Sequence, residues 1–269
     1  MSFFLIFVLG AIVGSFLNVV ILRLKSGEKI SGWRSHCPHC RHDLSPLDLI
    51  PVISFFLRRG RCRYCRKNIS WQYPLVELAT ALLFVGFFLV NLERFDCLDA
   101  WTCLFPLAVN WQLIAALLRD WVFVSVLLVI FVYDLRWYLI LDRVTVPAMI
   151  VAVLANLILG LNWPSLLCGA LIGGGFFWLQ YVISSGKWIG GGDLRLGLLI
   201  GLMVGWPNVL VALFIAYLIG AVFSLYLVIG GKKKMKSPLP FGTFLAIATG
   251  LTMIWGEAIV NWYLSLLYV

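Results

Sequence analysis

Charge is scarce in this chain. Asp, Glu, Lys and Arg make up 12% of its 269 residues, against roughly 25% in a soluble globular domain. With 62% hydrophobic residues and repeated apolar runs of about 20 residues, the shortage excludes a soluble enzyme. Backbone polar groups in lipid must be satisfied internally, and these runs are too long and continuous for barrel strands. An all-α polytopic membrane protein is therefore expected. Histidine is scarcer still: His36, His39 and His42 are the only three, all in one polar stretch. No apolar segment carries a histidine and no Gly-x-Ser-x-Gly elbow occurs, so serine-type hydrolysis lacks its base. Basic residues are also missing ahead of the first apolar run, Phe3–Leu22, and appear after it as Arg23 and Lys25. A secretory signal has the opposite order, which predicts a retained helix with its N-terminus outside the cytoplasm.

What charge there is has a pattern. The net charge of +9 comes mostly from two stretches, Arg23–Lys67 and Lys232–Lys236. The positive-inside rule explains them better than nucleic-acid binding does. Residues 23–74 hold eleven Lys/Arg against Glu28, Asp43 and Asp48, and are expected to be cytoplasmic. Seven further apolar segments follow, at about 75–91, 121–133, 144–161, 165–184, 194–206, a run ending near 229, and 241–262, giving about eight spans in all. Residues 104–118 stay ambiguous, because Pro106 and Asn110 spoil a clean span. In this layout 19 of the 21 Lys/Arg lie inside, Arg94 and Arg119 lie outside, and both termini are non-cytoplasmic. The expected organisation is a first helix (1–22), a cytoplasmic loop domain (23–74) and a membrane domain (75–269). Asn18, inside the first helix, is expected to make an interhelical hydrogen bond.

The polar loop carries Cys37-Pro-His-Cys40 and Cys62-Arg-Tyr-Cys65, two CxxC pairs with 21 residues between them. Tetrahedral zinc takes two thiolates from each such turn, and a cytoplasmic location disfavours disulfides. A structural zinc on Cys37, Cys40, Cys62 and Cys65 is expected, with a mixed set including a nearby histidine as the alternative. Cys97 and Cys103 fall in an external loop where a disulfide is permitted, and Cys168 is expected to be a buried membrane cysteine without a special role.

The membrane-edge acids are Glu77, Asp134, Asp142, Asp193 and Glu257. The plain reading of each is an interface residue that snorkels or pairs with a neighbouring arginine: Arg136 for Asp134, Arg195 for Asp193, Arg143 for Asp142. Glu77 is divided between a structural pair and substrate binding. Asp134 and Asp193 make a stronger case. Both fall at cytoplasmic helix ends, and Asp193 follows Gly190-Gly191-Gly192, which interrupts a helix. Two carboxylates sharing a proton can activate water for amide hydrolysis without a nucleophile–base pair or catalytic metal. The glycines are no dinucleotide fingerprint: the third glycine of GxGxxG would fall at Arg195, and no strand precedes them.

The pattern resembles the type IV prepilin peptidases, the leader peptidase and N-methyltransferase family of bacterial inner membranes, over nearly the whole chain. Gly14-Ser-Phe-Leu-Asn-Val-Val-Ile21 is similar to the family's first-helix signature. Cys37–Cys40, Asp48-Leu-Ile-Pro-Val52, Arg59-Gly-Arg-Cys62 and Tyr73-Pro-Leu-Val-Glu77 are similar to its cytoplasmic loop. Asp134-Leu-Arg136 through Asp142 resembles the first aspartate motif, Gly190–Asp193 the GxGD motif, and Pro240-Phe-Gly242 a late motif. Two positions depart: Leu141 stands where the family usually has proline, and Arg195 where it often has lysine.

The resemblance implies cleavage of the short basic leader of a prepilin or pseudopilin after a glycine, at the cytoplasmic face, by Asp134 and Asp193. It also implies methylation of the new N-terminus from S-adenosylmethionine, with no residues identified for that site. The substrate's apolar helix is expected to enter laterally from the membrane. The helix dipole favours an anion at Asp193, at a helix start, and disfavours one at Asp134, at a helix end, which predicts Asp134 as the protonated partner. Two alternatives remain: a GxGD protease without methyltransferase activity, and a proton-coupled transporter using the same acids. The edge position of the acids and the lack of an internal repeat weigh against transport.

Overall fold

The computed structural model describes residues 2–29, 35–95, 111–231 and 239–267. Cys97, Cys103 and Lys232–Lys236 lie outside these residues. The described residues are helical apart from turns and two isolated antiparallel bridges. The long helices are α1 (Ser2–Ser26), α3 (Gln72–Arg94), α4 (Trp111–Trp137), α5 (Asp142–Ile158), α6 (Trp163–Ser184), α7 (Gly191–Val204), α8 (Asn208–Ile229) and α9 (Phe241–Leu267), with a short α2 (Ile53–Leu57) between α1 and α3.

Six of them, α1, α3, α4, α6, α8 and α9, are long and apolar enough to cross a membrane. The other two run 17 and 14 residues, α5 and α7, short of the roughly 20 residues that span a bilayer. Among the described residues, six of the eight expected spans are thus met by length and composition. The ambiguous segment 104–118 is partly settled: residues 111–118 are the first turns of α4, while 104–110 lie outside the described residues.

The chain divides into two compact units, Met1–Ser125 and Val126–Val269. In the first, α1 lies directly against α3. A Cβ added at Gly14 would fall 2.7 Å from the Glu77 Cα, and one at Gly10 2.7 Å from the Ala81 Cα, so small residues let the two backbones meet. Asn18, fully buried, makes the interhelical bond expected of it: its Nδ2 donates to the Tyr73 carbonyl (3.1 Å) and its Oδ1 accepts from Gln72 Nε2 (3.2 Å). The start of α4 is fastened by Asp120, 1% exposed. Asp120 accepts from Asn91 Nδ2 (2.8 Å) and Arg119 Nε (2.9 Å), with Arg94 at 3.7 Å. Arg94 and Arg119, the two cations placed outside by charge counting, thus share one buried carboxylate that the sequence reading passed over.

In the second unit, α6 and α7 interlock through Gly169 and Gly173 on one and Gly197 and Gly201 on the other. Added Cβ atoms at these four positions would all sit within 2.5 Å of the opposite backbone's carbonyl oxygen. From the other side Asn156 of α5 donates to the carbonyls of Leu202 (2.7 Å) and Met203 (3.1 Å), capping the last turn of α7. The shortest long helix is therefore gripped on both flanks. Cys168 is exposed on α6 rather than buried as expected, because the small-residue face of that helix, not its own, turns toward α7.

Candidate active site and metal centre

The first unit holds the four cysteines in two equivalent turns. Cys37 N–H donates to the His42 carbonyl (3.0 Å) and Arg41 N–H to the Cys37 carbonyl (2.9 Å). Twenty-five residues on, Cys62 N–H donates to Lys67 (2.9 Å) and Arg66 N–H to Cys62 (3.0 Å). The bridges His36–Asp43 and Arg61–Asn68 close the two turns at matching places, and Arg41 and Arg66 share a left-handed φ of 56°. The four Sγ atoms lie within 4.8 Å of one another, with Cys37 and Cys65 at 3.9 Å. Tetrahedral zinc with Zn–S bonds of about 2.3 Å requires sulfurs about 3.8 Å apart, so the residues fit such an ion. Among the described residues only these cysteines gather in this way. His42 packs its ring on Tyr64 and His36 faces Glu28 at 3.9 Å, so these two histidines are engaged elsewhere.

The thiols are not equivalent. Burial alone would raise Cys37, but N–H groups of Cys40 and His39 at its turn bring it down to about 7. Cys65, despite the Lys67 N–H, is pushed up to about 11 by burial and the neighbouring sulfurs. A cation among the four is what relieves this competition for protons. Serine at Cys62 is expected to abolish metal retention and loosen residues 35–69, read as metal content of the purified chain and amide exchange across the two turns.

Between the turns lies Asp48. Burial works against its ionisation, but the Ser45 hydroxyl (2.9 Å) and N–H (3.0 Å), the Arg58 guanidinium and Tyr64 hold its carboxyl below the usual range. Glu77 of α3 is 7% exposed and accepts the Val52 N–H at 2.7 Å and the Ser15 hydroxyl. These bonds tie the loop to α1 and α3.

The second unit holds Asp134 and Asp193. Asp134 closes α4 and is 4% exposed. Its Oδ2 accepts the Thr243 N–H at 2.8 Å and the Thr243 hydroxyl at 3.2 Å, at the first turn of α9. The expectation that a helix dipole disfavours an anion at Asp134 counted only its own helix. The start of α9 supplies N–H groups and the positive end of a second dipole. Asp193, half-buried in the first turn of α7, reaches back to the Gly190 N–H at 3.1 Å. Both carboxylates therefore sit at helix N-termini, and the dipole assigns the proton to neither.

The two motifs converge on Ile140. A Cβ at Gly192 would lie 2.9 Å from the Ile140 Cβ. One at Gly242 would lie 3.1 Å from the Ile140 Cδ1 and 3.0 Å from Asp134 Oδ2. Ile140 thus fills the space between the Gly190–Asp193 turn and the start of α9, where Asp134 is bonded. Of the three glycines only Gly192 is required by packing; Gly190 and Gly191 meet almost nothing. Arg195 pairs with Asp142, not Asp193, and Arg136 stacks over Trp137. The arginine pairings named as the plain reading of Asp193 and of Asp142 are thus replaced by one between Arg195 and Asp142.

Thr243 and Ile140 escaped the sequence reading; the only signal was the Pro240-Phe-Gly242 motif immediately before Thr243. Valine at Thr243 keeps the N–H bond and removes the hydroxyl. It is expected to lower turnover by about tenfold or more, from the low end of the roughly 1.5–3 kcal/mol that a hydrogen bond to a charged group contributes. Serine is expected to restore it, in a cleavage assay on the matched variants.

Two families match the sequence: the bacterial peptidase A24 N-terminal domain over residues 8–91 and the type IV leader peptidase family over residues 121–225. The chain is 32% identical to a prepilin leader peptidase/N-methyltransferase of Aeromonas hydrophila, covering 98% of this chain and 94% of that protein. It is 32% identical to the protein of that description in Bacillus subtilis, covering 97% and 98%. A third, in Pseudomonas aeruginosa, is 30% identical, with 96% and 91% covered. No solved structure matches the chain.

Proposed function

Because the chain belongs to the type IV leader peptidase family, we propose that it removes the leader of a type IV prepilin or pseudopilin with Asp134 and Asp193 and methylates the new N-terminus. The observation that carries the peptidase reading is the meeting of Asp134, Ile140, Gly192 and Gly242 within the second unit, with Asp193 immediately after Gly192 in the first turn of α7. In each aspartate one oxygen, Oδ2, takes backbone N–H groups at a helix start. The other is left to share a proton or hold water. Mutual repulsion of two close carboxylates favours one shared proton. The ionised member takes a proton from water as it attacks the scissile carbonyl, and the protonated member donates to the carbonyl oxygen. Return of protons to the leaving amine releases the mature chain.

The positive-inside pattern supports a bacterial inner-membrane protein with both termini outside the cytoplasm and the aspartates at the cytoplasmic edge. Six helices suffice to make it multi-pass; α5 and α7 are proposed as shorter segments completing the fold within the membrane domain. Lipid and the substrate's apolar helix are then its immediate surroundings, and lateral entry of that helix follows. Zinc is proposed on Cys37, Cys40, Cys62 and Cys65 as a closed, structural site within the loop domain 23–74. S-adenosylmethionine is proposed as methyl donor on the strength of the relatives' description as N-methyltransferases. Glu77 is proposed to serve the substrate by fixing the loop. Co-expression with a type IV prepilin tests the proposal. A shortened prepilin is expected, and replacing the glycine before the scissile bond by leucine should leave it full-length; an uncut wild-type prepilin would contradict the assignment.

A further inference from the structure

The polar loop of the first unit exposes a set of large apolar side chains that its basic composition conceals. Ile53, Phe56 and Leu57 are 56%, 59% and 79% exposed, and at i, i+3 and i+4 they share one face of α2. Phe55, on the opposite side, is buried and packs on Trp71 at 4.9 Å. Leu47 and Trp71 add 65% and 60% exposed surface. A patch of this kind away from a spanning helix marks an interaction surface.

The position of α2 along its neighbours identifies the occupant. Trp71 immediately precedes α3, a helix fit to span a membrane, and the Phe56 ring lies 6.2 Å from the Trp71 ring. Val52, the residue before α2, is bonded to Glu77, which lies more than one turn inside α3. Glu77 also bonds Ser15, whose place in α1 is about 12 Å from Arg23 at 1.5 Å per residue. The start of α2 is thereby pinned level with the interior turns of two membrane helices, not held out in water. Beyond α2 come the exposed Arg59, Arg61 and Arg63, suited to lipid phosphates. These cations also disfavour a basic substrate leader as occupant.

We infer that α2 is an in-plane membrane anchor: its Ile53–Phe56–Leu57 face enters the boundary between headgroups and acyl chains of an anionic bilayer, with the following arginines at the phosphates. Helices that lie in the interface bury an apolar face about 5–10 Å into that boundary, whatever their length. The two cysteine turns, which flank α2 in sequence, are then held at the bilayer surface. This inference rests on the membrane-spanning reading of α1 and α3 and not on the peptidase assignment.

Photo-crosslinking of the full chain tests it. p-Benzoylphenylalanine is placed at Leu57 or, as a control, at the exposed Asn68, and each variant is reconstituted in phosphatidylglycerol nanodiscs. Retention of metal and unchanged thermal unfolding establish that each variant is folded. Irradiation is expected to give abundant phospholipid adducts on the peptide containing position 57 and far fewer on that containing 68, which is bridged to Arg61 at the headgroup level rather than among the acyl chains. A folded Leu57 variant that yields no lipid adduct overturns the anchor, as does one that crosslinks instead to a second copy or to added prepilin. Prepilin cleavage measured on the same samples reports separately on the peptidase.

Discussion

Asparagine at either Asp134 or Asp193 is expected to depress leader cleavage by about 10⁴-fold or more, with the fold intact. Groups that act as a unit in hydrolysis show losses on this scale, and removing the second then costs little further. The double variant should therefore be no slower than either single one. Retention of fold follows from the contacts. An asparagine carbonyl at position 134 still accepts the Thr243 N–H, and at position 193 it still accepts the Gly190 N–H. What disappears is the exchangeable proton and the charge. Thermal unfolding in detergent should match wild type while cleaved prepilin falls to background.

The second large effect is structural. Alanine at Gly201 places a methyl group 2.1 Å from the Gly169 carbonyl oxygen and 2.3 Å from its carbon. Both are backbone atoms of α6, so no side-chain rotation relieves the overlap and the helices must part. Overpacking of this type costs about 1–3 kcal/mol and more where the backbone must move; the upper end is expected, with a marked fall in folded yield. Gly175 on α6 is the control. An added Cβ there meets nothing within 4 Å, and alanine is expected to leave stability unchanged or slightly improved. Because α7 also carries Asp193, the fraction of Gly201→Ala protein that folds should cleave slowly as well.

The helical class and the cysteine quartet were legible in the sequence because both are local. An apolar run carries its own hydrogen-bond partners, and two CxxC turns bring their ligands to one point at known spacing. The lengths were less legible. Counting apolar residues treats a 14-residue helix such as α7 like any span, and only the packing of Gly197, Gly201 and Asn156 shows how so short a segment is held. Partner choice was least legible, since it depends on which helices meet. Asp134 was assigned one helix dipole from its own segment, yet its hydrogen bonds come from Thr243, 109 positions away. Arg195 lies two residues from Asp193 and pairs with Asp142, 53 positions back. Asp120 was passed over because an Arg-Asp step at the edge of an apolar run looks like an ordinary interface pair. Its burial with Asn91 and two arginines appears only when α3 and α4 are side by side.

This chain is expected to hydrolyse a prepilin leader on its own, through its two aspartates. That expectation is tested by incubating the purified protein in lipid nanodiscs with a purified prepilin and measuring the mass of the prepilin's N-terminal peptide. The leaderless mass is expected with wild-type protein, a further methyl group when S-adenosylmethionine is added, and the intact mass with Asp134→Asn or Asp193→Asn. An intact prepilin after incubation with folded wild-type protein, or full cleavage by either asparagine variant, would contradict it.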